Sequence, residues 1–414
     1  MATETGADLR RVDVDSPQFD AFVRLAGLVY KTNARYTDEQ ADQYRDGSRG
    51  HRLTGAYDGD RLVGTLRSYD LGLTVPGATI RAEAITSVGV LPTHRRRGLL
   101  TALVQDDLAS AAARGIGVAI LISAEAPIYG RYGFGVAAEA VTRVLDLRSA
   151  VPRPELRDDG RIELLSEPDL RAVAPDVFEA ARRPGAIDRN GRNWAFRLGI
   201  VERVGQPWTP RVAAVHRDEA GRPDGYLTYR QEDIWEHRVT RALAHLESLE
   251  AATPQAWAAL WTFLAGLDNT AEVHAVDRPV DEPIGHLFTD YRAAATVTRN
   301  DFLWSRVIDP PTVLAGRRYE AAGHCVVAVH DPQHWAQGRF LLEVDERGEA
   351  TCRPTAAAAE VTMPVETLSA IWLGGTSLLD LAAAGRAREE HPGALARLDR
   401  LLRTATAPWC NTWF

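Results

Sequence analysis

The chain is 414 residues long, enough for two or three domains, each with its own core. It is 45% hydrophobic and 25% charged, ordinary values for a soluble globular protein. A net charge of −8 argues against nucleic acid as a partner and suits a cationic ligand.

Cys325, Cys352 and Cys410 are odd in number, widely spaced and without a CxxC pair. That pattern predicts a reducing compartment and no structural metal. MATETGADLRRVDVD lacks the apolar stretch of a signal peptide, and no apolar run approaches the ~20 residues that cross a bilayer. The expectation is a cytoplasmic protein with no membrane partner.

Ser16-Pro17 ahead of Phe19, Phe22, Val23, Leu25 and Ala26 predicts a first helix with a serine cap and proline in its first turn. A second helix is predicted from Asp38 to Tyr44, where Asp38 and Glu39 read equally well as solvated charges. His51–Tyr57, the turn Asp58-Gly59-Asp60 and Arg61–Leu71 read as a hairpin, and Val75-Pro76-Gly77 turns the chain into a strand ending at Val90.

Ile85–Leu108, ITSVGVLPTHRRRGLLTALVQDDL, is the most informative stretch. Ile85, Val88 and Val90 have strand spacing, Pro92 breaks the strand, and His94–Arg97 bring four basic-type side chains. After Gly98, the residues Leu99, Leu100, Leu103, Val104 and Leu108 follow helical spacing. A strand, a basic turn with glycine and a helix can hold a pyrophosphate. The first-turn N–H groups are unpaired, the dipole is positive there, and glycine admits close backbone approach. An ordinary turn with solvated arginines has the same spacing.

Gly117–Ile122 is a buried-strand pattern. SAEAPIYGRYGFG (Ser123–Gly135) follows, with three glycines among Tyr129, Tyr132 and Phe134. Tyr132 and Phe134 read as core rings, while Tyr129 lies just past the strand expected beside Val88–Val90.

Val88, Val90, Arg95, Arg96 and Gly98 match V-x-V-x-P-x-x-R-R-x-G-x-[GA], so the segment resembles the coenzyme A-binding motif of GNAT acyltransferases. Leu100 departs from the usual small residue. Two helices, three antiparallel strands, the basic turn with its helix and a parallel strand are the GNAT order of elements. With I-Y-G-R-[FY]-G-[FY]-G at Ile128–Gly135, the chain resembles the Eis (enhanced intracellular survival) family of actinobacterial N-acetyltransferases. The resemblance implies an α+β (α/β) chain of tandem GNAT-like domains with a C-terminal sterol-carrier-protein-like domain. It further implies a homohexamer that acetylates amines, including aminoglycosides and, in some members, lysine side chains.

Val151-Pro152-Arg153-Pro154 is a proline-marked linker. Beyond it, Arg211–Arg230 repeats the strand-turn-strand plan of His51–Tyr69, and Ala242–Leu249 is a strand. Thr253-Pro254 caps a helix through Trp257, Leu260, Trp261, Phe263 and Leu264. Glu250 and Ala251-Ala252 stand where the basic turn would be. Residues 151–298 are therefore assigned as a second, structural GNAT-like domain unable to hold pyrophosphate the same way, after a catalytic domain at 1–150.

Residues 299–414 are assigned to the third domain, beginning near Phe302. LWSRVIDPP reads as a helix entry, a hairpin is expected around Glu346–Glu349, and an apolar helix is interrupted by Gly374-Gly375. Leu395, Leu398, Leu401 and Leu402 mark a last helix. The likeness is to the sterol-carrier-like domain, a fold that elsewhere binds lipid. An apolar-ligand carrier with a vestigial GNAT half is the competing expectation. The tail from Ala407 has three aromatic residues in its last six, whereas chain ends are usually frayed and polar. It either packs on its own domain or, as the resemblance implies, brings the Phe414 carboxylate into the N-terminal active site.

The resemblance implies direct transfer from acetyl-coenzyme A to a small-molecule amine in a ternary complex, with protein lysines as the rival acceptor. Arg95, Arg96, Arg97, Gly98, Leu99, Leu100 and Thr101 would grip the pyrophosphate. Val88, Gly89 and Val90 would offer backbone groups to the pantetheine arm and one N–H to the developing oxyanion. Ala124 and Glu125 would line the acetyl end. Tyr129 is the expected proton donor to the departing sulfur, either through a pKa depressed by the arginines or as a hydrogen-bond donor. The Phe414 α-carboxylate is the expected proton acceptor, acting directly, through water, or by orienting a neutral amine.

Overall fold

One twelve-stranded sheet runs through the first three quarters of the chain. The computed structural model describes residues 7–30, 38–155, 158–201 and 208–414. The first six residues of the N-terminal segment read above lie outside them. Among the described residues no helix is long and apolar enough to cross a membrane.

The sheet starts with β1 (Asp8–Arg11), β2 (Arg52–Asp58), β3 (Arg61–Val75), β4 (Ala78–Val90) and β5 (Val118–Ile122), in that order across it. Gly59 and Gly77 take φ of +60° and +69° in the two tight turns, a region that glycine enters without penalty. Helix α1 (Gln18–Val29) buries Phe19, Phe22, Val23, Leu25 and Ala26, and α2 (Asp38–Asp46) follows. Ser16 does not cap α1. Its hydroxyl donates to the Asp13 carbonyl at 2.7 Å, and Pro17, whose fixed φ already suits a helix, takes the N-cap position. Helix α3 (Leu99–Ala113) packs Leu103, Val104 and Leu108 against the strands.

After β6 (Gly135–Asp146), the second half repeats the plan. Strand β7 (Arg161–Leu165) precedes α4 (Glu167–Ala181) and α5 (Gly191–Arg197). Strands β8 (Val212–Arg217) and β9 (Pro223–Glu232) form a hairpin, followed by the two-residue strands β10 (Trp235–Glu236) and β11 (Val239–Thr240). Strand β12 (Ala242–Ala251), α6 (Pro254–Ala265) and β13 (Thr270–Arg278) complete it. The Thr253 hydroxyl caps α6 by accepting from the Ala256 N–H at 3.1 Å.

The halves exchange strands. β6 leaves the first half to pair with β13, while β14 (Ala294–Val307) returns to pair with β5 and β6. Phe302–Val307, expected to open the third domain, are therefore sheet residues buried on both faces, and the expected 298/299 boundary falls inside a strand. An apolar run inserted between two strands buries both of its faces, which a helix entry at the surface would not. The helix entry comes just after, at α7 (Pro310–Ala315).

The third region has a five-stranded sheet. Its members are β15 (Gly323–His330), β16 (Gly338–Val344), β17 (Ala350–Pro354), β18 (Val361–Pro364) and β19 (Arg388–Glu389), ordered β17-β16-β15-β18-β19. Helices α8 (Val365–Ile371), α9 (Leu378–Ala383) and α10 (Ala394–Leu402) cover it. It docks on the exchanged strands: Ser305 Oγ donates to the Ser369 carbonyl at 2.6 Å, and the buried Trp372 Nε1 donates to Ser305 Oγ at 2.8 Å. Arg306 and Asp331 form a fully buried ion pair at 2.7 Å across the same seam.

The seam leaves no room at Gly135, where a Cβ would stand 2.1 Å from the Glu366 carbonyl and 2.7 Å from the Ala370 nitrogen. Gly135→Ala is expected to lose about 1–3 kcal/mol and lower the thermal unfolding midpoint. Gly130→Ala, whose Cβ would meet nothing within 4 Å, is the control expected to leave that midpoint in place.

Candidate active site

Strand β4 carries a bulge. Thr65 pairs with Gly89 and Arg67 with Thr86, leaving Ser87 and Val88 opposite the single residue Leu66. Ser87 sits at φ +53°, and its carbonyl is held by the Thr65 hydroxyl at 2.9 Å. A bulge interrupts the ladder and re-aims the backbone. Beyond it, β4 and β5 part: they pair only at Glu83↔Ala119 and Ala84↔Ile120.

A cavity of about 510 Å³ opens in the gap. Of the residues singled out in the sequence, the structure gathers Val88, Gly89, Val90, Arg95, Arg96, Gly98, Leu99, Leu100, Thr101, Glu125 and Tyr129 around it. Gly98 stands at the N-terminus of α3 with φ +77°, and Arg96 also has a positive φ, +62°. Three expected residues lie outside the lining: Arg97, Ala124 and Phe414. Arg97 turns back toward Asp58, 3.8 Å away, a carboxylate that His94 Nε2 also meets at 3.1 Å. Ala124 is exposed and its methyl does not reach the cavity.

Val29, His94, Ile128, Arg131 and Tyr132 also line the cavity and were not anticipated as site residues. Arg131 had a local signal, a cation within the Y-G-R-Y run. Val29, at the end of α1, had none. Tyr132, read as a core ring, shares a hydrogen bond with the Thr101 hydroxyl at 3.1 Å and so braces the first turn of α3.

Tyr129 is fixed by two short 3₁₀ turns. Its carbonyl accepts from the Tyr132 N–H at 3.0 Å, and its ring meets the Phe134 ring edge-on at 5.8 Å. Burial raises the phenol pKa above its ordinary value, with Tyr30, Tyr132 and Glu125 adding to the shift. The shift is therefore opposite to the lowering by the arginines that was one of the two expectations, because burial dominates it. Cys410 is likewise held as a thiol, pushed up to about 11 by burial.

The Phe414 carboxylate lies on β4, accepting from the Thr86 hydroxyl at 3.1 Å. Thr86 is the residue immediately before the bulge. The tail therefore does not stay on its own domain: Trp409, Cys410 and Thr412 are buried on the way to the first half. One strand thus presents the cavity on one side of its bulge and the chain's last carboxylate on the other.

Residues 12–137 match a family described as an acetyltransferase (GNAT) domain, residues 185–307 match a second such family, and residues 310–411 match a sterol carrier protein domain. An uncharacterized N-acetyltransferase of Streptomyces avermitilis is 41% identical over 374 residues, covering 88% of each chain. The N-acetyltransferase Eis of Mycobacterium tuberculosis is 35% identical over 355 residues, 83% of this chain and 84% of that protein. The crystal structure of Eis1 from Mycobacterium abscessus superimposes with a TM-score of 0.84 at 30% identity, over 98% of this chain and all of that one. A probable N-acyltransferase from Enterococcus faecalis shares the fold, with a TM-score of 0.83 at 18% identity.

Because burial raises the Tyr129 pKa, its phenol is expected to stay protonated past pH ~10. Absorbance of phenolate, compared between the protein and Tyr129→Phe across that range, checks this. A Tyr129 phenolate already present near neutral pH would contradict it.

Proposed function

The chain belongs to the Eis family of GNAT N-acetyltransferases, and from that premise we propose that it acetylates cationic small-molecule amines such as aminoglycosides, using Tyr129 and the Phe414 carboxylate. Acetyl-coenzyme A is the acetyl donor. The observation that carries the site reading is the Thr86–Phe414 hydrogen bond beside the cavity.

The cavity suits the donor chemically. Unpaired N–H groups from Gly98 to Thr101, the positive end of the α3 dipole, and Arg95 with Arg96 at the mouth converge where a pyrophosphate would lie. Gly98 gives the close approach there, since a side chain at its positive φ would be strained. Arg97 adds charge to the same turn from outside, beside Asp58, and Glu125 lines the cavity. Past Ala84 the β5 side of β4 has no partner in β5, so the backbone of Gly89 and Val90 on that side, with Val88, is placed to orient the pantetheine arm and to donate toward the thioester oxygen.

Tyr129 faces this cavity as a neutral phenol. A pKa above 10 makes full proton transfer to a thiolate near pKa ~8.5 unfavourable, so the phenol acts while keeping hold of its proton, as a hydrogen-bond donor to the departing sulfur. The carboxylate of Phe414 stands on the far side of the bulge, where an amine would approach. It orients the amine and takes its proton, directly or through one water. The transfer is direct, in a ternary complex, and needs no nucleophilic cysteine. A six-copy assembly belongs to the same proposal and follows from family likeness.

Tyr129→Phe is expected to lose about 10²–10⁴ in turnover while still binding acetyl-coenzyme A. Lost binding would make Tyr129 a structural ring. Deleting Phe414, or extending the C-terminus, is expected to cripple turnover with the fold intact, and undiminished activity would remove Phe414 from the site. A panel of aminoglycosides, small amines and lysine peptides, read by coenzyme A release, decides the acceptor: turnover restricted to peptides would overturn the small-molecule assignment.

A further inference from the structure

The second half keeps the strand plan of the first but not its basic turn. At the corresponding bend stands Glu250, on β12, with its side chain buried. Glu250 Oε1 accepts from Arg189 Nη2 at 2.8 Å and from Asn411 Nδ2 at 2.6 Å. Arg189 is itself enclosed, its guanidinium 3.7 Å from the centroid of the Phe178 ring. It also donates to Asn411 Oδ1 and Thr412 Oγ1, both at 3.0 Å.

The grip continues along the tail. Arg197 donates to the Asn411 carbonyl, and Asn193 Nδ2 donates to the Trp413 carbonyl at 3.4 Å. The indoles of Trp409 and Trp413 donate to the Asp277 carbonyl at 2.7 Å and to its carboxylate at 3.0 Å. These tail residues border a cavity of about 560 Å³ where β12 and β13 part, beyond Leu246↔Ala275. That gap is the counterpart of the one between β4 and β5. In the second half, the chain's own end crosses it.

A buried arginine-carboxylate pair is a poor way to gain stability, because desolvation offsets the attraction. What it supplies is geometry: a planar fork against a fixed carboxylate sets position and register. We propose that the second half is a clamp for the C-terminus, with Arg189 and Glu250 as positioning residues that set the Phe414 carboxylate against Thr86. This deepens, and rests on, the reading of Phe414 as proton acceptor.

The test is the double variant Arg189→Gln, Glu250→Gln in the full chain, which removes both charges together and leaves neither unpaired. Two quantities are read: the rate at which carboxypeptidase releases Phe414, and kcat and KM for acetyl-coenzyme A at fixed amine. Release is expected to rise at least about tenfold. The kcat is expected to fall about 10–100-fold, with KM for acetyl-coenzyme A within about twofold. A merely structural pair would lower the unfolding midpoint without this split and without freeing the tail. A tail as protected as in the parent, or a freed tail with unchanged kcat, overturns the clamp.

If the double variant does not fold, Trp413→Phe drops one bond to Asp277 from an exposed ring. It is expected to move both quantities the same way by less, and no movement overturns the proposal. The Phe414 deletion tells the two failures apart. Unchanged turnover on deletion removes the proton-acceptor reading itself, whereas lost turnover with a still-protected tail in the clamp variants removes only the clamp.

Discussion

The bulge at Ser87 and Val88 is the constraint on which the site depends. A regular β4 would pair along its length, and its backbone groups would be spent on the ladder. Two residues face Leu66 alone, and past Ala84 the strand no longer pairs with β5, where the cavity opens. The same strand, one step before the bulge, offers the Thr86 hydroxyl to the Phe414 carboxylate. The cavity and the terminal carboxylate thereby both lie against one strand.

The exchanged strands explain how a carboxylate 328 residues away in sequence arrives there. β6 and β14 fuse the two halves into one sheet, and the third region docks on those same strands through Ser305, Arg306 and Trp372. The last helix is then fixed relative to the first half, and the tail crosses the second half to reach β4. At the bend that matches the basic turn, the second half carries Glu250, which bonds Asn411 of the tail.

Local features of the site were legible in the sequence because their physics is local. The basic turn announces itself by a strand period that switches to a helical one across a proline and a glycine, and Gly98 does take a positive φ at the start of α3. Tyr129 stood out by its place after a buried strand, and the tail by aromatic rings where a frayed end is usual. What was not legible is non-local. Phe302–Val307 have the composition of a helix entry or of a buried strand, and only pairing with β5 and β6 decides between them. Arg97 looked like its neighbours until Asp58, on another strand, claimed it. Arg189 and Glu250 lie 61 residues apart and form no pattern. The sign of the Tyr129 shift depends on burial, which no motif reports.

A crystal structure with acetyl-coenzyme A and an unreactive amine analogue bound tests the central claim most directly. The diphosphate is expected over the first turn of α3 at Gly98, the thioester sulfur within hydrogen-bond reach of the Tyr129 hydroxyl, and the Phe414 carboxylate within one water of the amine. A diphosphate bound elsewhere, or an amine seated with Phe414 out of reach, would contradict it.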